Sequence, residues 1–173
     1  MASMTDAERV AALRRYQVLD TDPDPRFQAI TNTAAIALDV PIALVTLVDE
    51  SRQWFKARHG LDVCETEREI SFCTHAIVST EPFIVEDAAS HPVFKNNPLV
   101  TGHPFIRFYA GIPLIDKQGA ALGTFCIIDA QPRTLKDDEL TMLFGFAQFA
   151  MTALTAHRQK IEMETDSSLR TGS

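Results

Sequence analysis

Two apolar runs, Pro104–Leu114 and Leu122–Asp129, flank a turn at Asp116–Gly119 and restrict this chain to folds built around an antiparallel hairpin. In the first run Ile106, Phe108, Ala110, Ile112 and Leu114 fall on one side at period two, with Phe105, Arg107, Tyr109 and Gly111 on the other. An arginine and a tyrosine on one sheet face suit the floor of a small-molecule cavity, where a few polar groups converge among apolar walls. Arg107 would hold a carboxylate or phosphate bidentately and Tyr109 would donate a hydroxyl. The bland alternative is an arginine held by a structural carboxylate beneath a long loop.

A chain of 173 residues with 46% hydrophobic content can bury one core and is short for two, so one domain with helical extensions is expected. The net charge of −7 and the lack of any basic run argue against a nucleic-acid partner. No apolar run approaches the roughly 20 residues needed to span a bilayer, and the first residues lack the apolar segment of a signal peptide. A cytoplasmic chain with no membrane partner is expected. Cys64, Cys73 and Cys126 form no CxxC pair, so reduced thiols are the default.

Along the chain, acidic residues open and arginines close a helix over Thr5–Tyr16, and a turn at Leu19–Pro25 leads to an amphipathic helix over Pro25–Leu38. Ile42–Val48 and Arg52–Arg58 read as a hairpin. Ser71 is placed to cap a short helix running to Val78, and Phe83–Glu86 reads as a strand. Asp87–Gly102 is a long loop with one helical turn near Val93–Phe94, of the kind that forms functional lids. A long last helix starts at Pro132–Asp138, and Leu140, Ala147, Leu154 and Ile161, spaced by seven, form a packing seam. The division expected is an N-terminal helix and turn over 1–24, a domain over 25–161 and a disordered tail over 162–173. This is an α+β arrangement: a central antiparallel β-sheet with terminal helices on one face and pocket-forming loops and short helices on the other.

In this order, the segments Leu13–Thr21, Arg52–Lys56, Ser71–Ile77, Asn97–Gly102, Ile106–Leu114 and Leu122–Asp129 resemble a GAF domain over roughly residues 6 to 160. The likeness is to the bacterial sensor-type subgroup found upstream of histidine kinase and diguanylate cyclase outputs. It implies a small-molecule-binding regulatory module in intracellular signal transduction. Its state would pass through the terminal helices to the mate in a homodimer or to an output protein in trans. The resemblance identifies no cofactor. Bilin-binding members carry a cysteine followed by histidine, whereas Thr74 separates Cys73 from His75 here. The Asn-Lys-Phe-Asp-type segment of cyclic-nucleotide binders is missing, and the cysteines do not sit in the surroundings typical of free methionine sulfoxide reductases.

The candidate ligand-binding residues are therefore Arg107 and Tyr109 as polar anchors, Trp54 and Phe55 as an aromatic wall, and Asp87 on the lid loop, with Cys73, His75 and Cys126 facing the cavity. Cys73 lies in the first turn of the helix capped by Ser71, where backbone N–H groups favour a thiolate, although a cysteine beside Phe72 also reads as a small buried hydrophobe. His75 points roughly 200° away from Cys73 on a regular helix, so the two form no dyad. Cys126 approaches Cys73 across the cavity if its strand has the right parity. Two alternatives follow: a cysteine-based redox sensor or small thiol-dependent reductase, and a haem-type sensor through His75. His59, His91 and His103 lack metal-ligand spacing, and no catalytic residues are assigned.

Overall fold

The computed structural model describes residues 3–172. Helix α1 spans Asp6–Arg14 and starts in a reciprocal capping box, in which Thr5 accepts from the Glu8 N–H and Glu8 accepts from the Thr5 N–H. Helix α2 spans Pro25–Ala37, with Asp24 as N-cap and Pro25 in the first turn, where its missing N–H costs nothing. Six strands follow: β1 (Ile42–Val48), β2 (Arg52–His59), β3 (Glu65–Glu67), β4 (Phe83–Val85), β5 (Phe108–Ile115) and β6 (Ala121–Asp129). Helices α3 (Cys73–Ala76) and α4 (Pro98–Thr101) are single turns, and α5 runs from Asp137 to Thr171.

All neighbours in the sheet are antiparallel, in the order β3-β2-β1-β6-β5-β4. Alternation along β1, β5 and β6 divides the core in two. Val45, Leu47, Phe108, Ala110, Ile112, Phe125 and Ile127 face a layer made by α1, α2 and α5. Leu44, Val48, Tyr109, Cys126 and Ile128 face the opposite layer, built from α3, α4 and the loops around them. The expected α+β architecture is the one observed.

Gly123 sets how closely the two central strands meet. A Cβ there would lie 1.9 Å from the Thr46 carbonyl oxygen, a backbone atom that cannot step aside. Next to it, Thr46 and Thr124 sit opposite each other with their hydroxyls 3.0 Å apart, and the Thr124 N–H donates to Thr46 Oγ1 at 3.1 Å. A fully buried hydroxyl pair of this kind is tolerated because each member satisfies the other.

Helix α1 is held by charge at both ends and, just past its last residue, by α5. Arg68 grips Asp6 through two contacts of 2.8 Å, and Arg14 reaches Asp49 at 3.2 Å. At the far end the Arg158 guanidinium lies 5.0 Å over the Tyr16 ring, and His157 contacts the Gln17 carbonyl at 3.1 Å. Helix α5 buries Leu143, Ala147, Ala150 and Leu154 against the sheet and α2. The seven-residue seam thus faces the domain body at Leu140, Ala147 and Leu154.

Several expectations need correction. Glu65–Glu67, for which no strand was expected, forms the edge strand β3, which pairs with only three residues of β2 and carries no apolar pattern to announce it. In the long loop the expected turn near Val93–Phe94 forms, with the Lys95 N–H donating to the His91 carbonyl at 2.9 Å, and a second helical turn, at Pro98–Thr101 and capped by Asn97, was not foreseen. Strand β5 begins at Phe108; Phe105 takes a left-handed conformation (φ 58°), so the alternation drawn back to Pro104 breaks and Ile106 joins the layer opposite to Phe108. Residues 162–171, expected as a disordered tail, continue α5, supported by an Arg158–Glu162 pair one turn apart; Ser173 lies outside the described residues. An 18-residue window of α5 also reaches a mean hydropathy of 1.2, long and apolar enough by composition to cross a bilayer, which departs from the expectation that no stretch approaches that length.

Two substitutions test these contacts. Gly123→Ala should lower the free energy of unfolding by roughly 1–3 kcal/mol, at the upper end of that range because backbone opposes the new methyl, and urea denaturation would read it. The Arg68 guanidinium, assisted by Arg9, holds the Asp6 carboxyl well below the usual carboxylate range. A depressed folded-state pKa adds stability above the unfolded value of about 3.9, and that stability is lost as the pH falls through the folded value. Asp6→Asn should therefore cost on the order of 1 kcal/mol or less at neutral pH, because the carboxyl is half exposed. The gap to the parent should shrink in acid, and a gap that stays constant down to about pH 2 would contradict this linkage.

Candidate functional site

The loop-side face of the sheet carries a small polar cluster inside an apolar layer. Strand β6 places Cys126 and Thr124 on this face at period two, β1 contributes Thr46, and β5 contributes Tyr109. Ser71 delivers the last member. Its hydroxyl donates to Gln53 Oε1 at 2.6 Å and accepts from the Cys73 N–H at 3.1 Å, so it ties β2 to the start of α3, as its expected capping role requires. Helix α3 is shorter than expected and ends at Ala76.

Cys73 Sγ then lies 3.0 Å from Tyr109 Oη and 3.1 Å from Thr124 Oγ1. Both cysteines and the tyrosine are essentially inaccessible to solvent. Gly111 makes this geometry possible. It follows Tyr109 by two residues on the same face, and the phenol ring lies flat over it, with Oη 2.3 Å from where a Cβ would stand.

Burial by itself pushes the Cys73 thiol up, but hydrogen bonds from Cys126, Thr124, Tyr109 and Thr46 outweigh it and bring the group down to about 7. Burial pushes Cys126 and Tyr109 well above their ordinary values, and negative charge on Cys73 pushes them further the same way.

An aromatic shell closes over these groups. Phe72 and Phe94 stack with ring centroids 4.1 Å apart, Phe72 lies 5.3 Å from Tyr109, and Phe83 lies 6.0 Å from both Phe94 and Tyr109. The space read from sequence as a cavity floor is covered by side chains.

The other candidate residues are dispersed. Arg107 precedes β5 and its guanidinium donates to the carbonyls of Val100 at 2.9 Å and Ile106 at 3.0 Å, which latches α4 to the sheet. Among the described residues no carboxylate pairs with it, contrary to the bland alternative, and its Nη1 is turned toward backbone. Asp87 caps a 3₁₀ turn at Ala88–Ser90 by accepting from the Ala89 N–H and the Ser90 hydroxyl. His75 is exposed and lies edge-on to Phe94 at 4.9 Å; burial by its neighbours and the nearby His91 lower its pKa. Trp54 and Phe55 point to opposite faces: Trp54 packs in the helical layer and only Phe55 joins the loop-side layer. Successive strand residues cannot build one wall. Exposed Cys64 accepts from the Arg58 guanidinium at 2.8 Å.

Thr46, Thr124 and Gln53 were missed as members of the cluster. A lone threonine inside each of the apolar runs Ile42–Val48 and Leu122–Ile128 was the available signal, because an isolated hydroxyl in a buried strand needs a partner.

A family model described as "GAF domain" matches residues 22–154. A cyclic di-GMP phosphodiesterase of Pseudomonas aeruginosa is 41% identical over 147 residues, covering 84% of this chain; the chain spans only 25% of that relative's length. The GAF domain of an Acinetobacter phosphoenolpyruvate-protein phosphotransferase superposes with a TM-score of 0.63 at 18% identity, over 88% of this chain and 95% of that one. The GAF domain of PixJ from Thermosynechococcus elongatus, in its blue-light absorbing form, superposes with a TM-score of 0.61 at 16% identity, over 95% and 98%. At these identities the structural likenesses speak to the fold alone.

Removing the phenol hydroxyl in Tyr109→Phe should cost on the order of 1 kcal/mol and raise the Cys73 pKa, since the thiolate loses a donor. Gly111→Ala should cost more, because the ring has to swing off the strand. Denaturation curves and the pH dependence of Cys73 alkylation would check both. An unchanged alkylation profile in Tyr109→Phe would show that the hydroxyl does not support the thiolate.

Proposed function

Because this chain belongs to the GAF domain family, we propose that it is a regulatory module of a signalling protein. A small molecule acts on its loop-side layer, and the response leaves through α5 to a second copy of the chain and to an output domain. The relative from Pseudomonas aeruginosa, a cyclic di-GMP phosphodiesterase, favours cyclic di-GMP turnover as the activity under control.

The observation that carries this reading is the second apolar stripe of α5. Leu143, Ala147, Ala150 and Leu154 dock on the sheet, whereas Met142, Phe149, Ala156 and Met163, also spaced by seven, lie on another side of the same helix. Phe149 is 63% exposed and Met163 71% exposed, a poor arrangement for a helix with only one packing partner. A rigid helix with one seam on the sheet and another free to pair converts a shift of the domain body into a shift between helices.

For the input, the aromatic shell favours a flat, apolar or aromatic molecule that takes the place of Phe94 over Phe72. A bidentate grip of Arg107 on an anionic ligand is disfavoured, since Nη1 of that guanidinium is engaged by two backbone carbonyls.

Light scattering on the purified chain should give the mass of a dimer, and Phe149→Glu should give a monomer whose melting temperature stays within a few degrees of the parent's. A parent that remains monomeric at high concentration would remove the route through α5. Native mass spectrometry on protein from its own host should show added mass that Phe94→Ala alters.

A further inference from the structure

We propose that Cys73 and Cys126 are a buried redox pair that hydrogen peroxide converts to an intramolecular disulfide, fastening α3 to β6. This goes beyond the ligand and dimer reading and does not depend on it.

The geometry is specific to these two thiols. Cys126 sits directly opposite Gly111 across the β5–β6 ladder, so no side chain stands beside it there except the Tyr109 ring folded over that glycine. The same Tyr109 hydroxyl lies 3.0 Å from Cys73. Thr124, two residues before Cys126 on the same strand face, is 3.1 Å from Cys73 and in turn 3.0 Å from Thr46. A cysteine that serves only as a small hydrophobe is surrounded by carbon. Cys73 instead faces two hydroxyl groups able to donate to a thiolate, and Cys126 lies on the same strand face as one of them, Thr124, in a layer otherwise made of aliphatic and aromatic side chains.

The chemistry closes without further reagents. The Cys73 thiolate attacks one oxygen of the peroxide; an S–O bond forms, the O–O bond breaks, and hydroxide leaves and is protonated to water. The Cys126 sulfur then attacks the resulting sulfenic acid at Cys73. The S–S bond forms, the S–O bond breaks, and the departing hydroxide takes the Cys126 proton as a second water. The two sulfurs together lose two electrons, and one peroxide becomes two waters. Access comes through α3, which is a single turn followed by exposed residues from Val78 to Glu81 and so opens at low cost.

The bond would also reach the helical layer. Cys73 is connected through Ser71 to Gln53, and the 3₁₀ turn just before it carries Arg68, which grips Asp6 of α1. Drawing Cys73 toward β6 pulls on that segment and therefore on the ion pair that seats α1.

The test uses the chain with Cys64→Ser, which removes the exposed thiol and with it intermolecular bridging. After hydrogen peroxide, intact mass should fall by two hydrogens, peptide mapping without reductant should recover a Cys73–Cys126 linked pair, and dithiothreitol should reverse both. Cys126→Ser in the same background should halt at the sulfenic acid on Cys73, trapped by dimedone. Free thiols at both positions, under peroxide that oxidises Cys64 in the parent, would overturn the proposal. So would oxidation of Cys73 to the sulfinic acid with Cys126 untouched. If Cys126→Ser does not fold, the peptide map of the Cys64→Ser chain decides alone. None of these outcomes alters the mass of the dimer, so this inference and the signalling reading fail separately.

Discussion

The close approach of β6 to β1 at Gly123 underlies the rest of the structure. With no Cβ between them, these two strands come together as the centre of the sheet, and Thr46 meets Thr124 across the ladder. Their hydroxyls satisfy each other within an apolar interior, and Thr124 is then free to face Cys73. The same strand that brings its odd-numbered Phe125 and Ile127 to the helices brings Thr124 and Cys126 to the loops. One backbone contact thus seats both the packing of the helical layer and the polar cluster of the other face.

The two layers are built on different terms. The helical side is dominated by aliphatic burial, with α5 and α2 packed on the broad middle of the sheet. The loop side has short helices and long connections, and its order depends on a few polar latches: Ser71 to Gln53, Arg107 to the α4 carbonyl of Val100, and Asn97 to Ile70. Such a layer holds its shape while staying easier to open than the packed helices. The ion pair between Arg68 and Asp6 spans the two layers.

Much of the fold was legible because hydrophobic period is a local property. The alternation in Phe108–Leu114 and the helical spacing of Phe27, Ala34 and Leu38 depend only on which residues follow one another. The short edge strand β3 has no such signature, since its order comes from pairing with β2 and its side chains face solvent. The candidate site was less legible. Arg107 and Tyr109 appeared to share one face, but the left-handed turn at Phe105 delays the start of β5 and sends the arginine to a different task. Trp54 and Phe55 were adjacent in sequence and for that very reason opposed in the sheet.

By itself the sequence determined the class of fold, the order of its main elements, the terminal helical layer and the presence of a cysteine at the start of a capped helical turn, because propensity, capping and period are written into neighbouring residues. Only the tertiary structure decided that Cys73 meets Tyr109 and Thr124, 36 and 51 positions away along the chain, in the layer that also holds Cys126. The parity of β6, the absent side chain at Gly111 and the spacing of strands at Gly123 all had to agree before those groups could share one site. Distances between remote residues are set by how sheets and helices pack, and no local pattern encodes them.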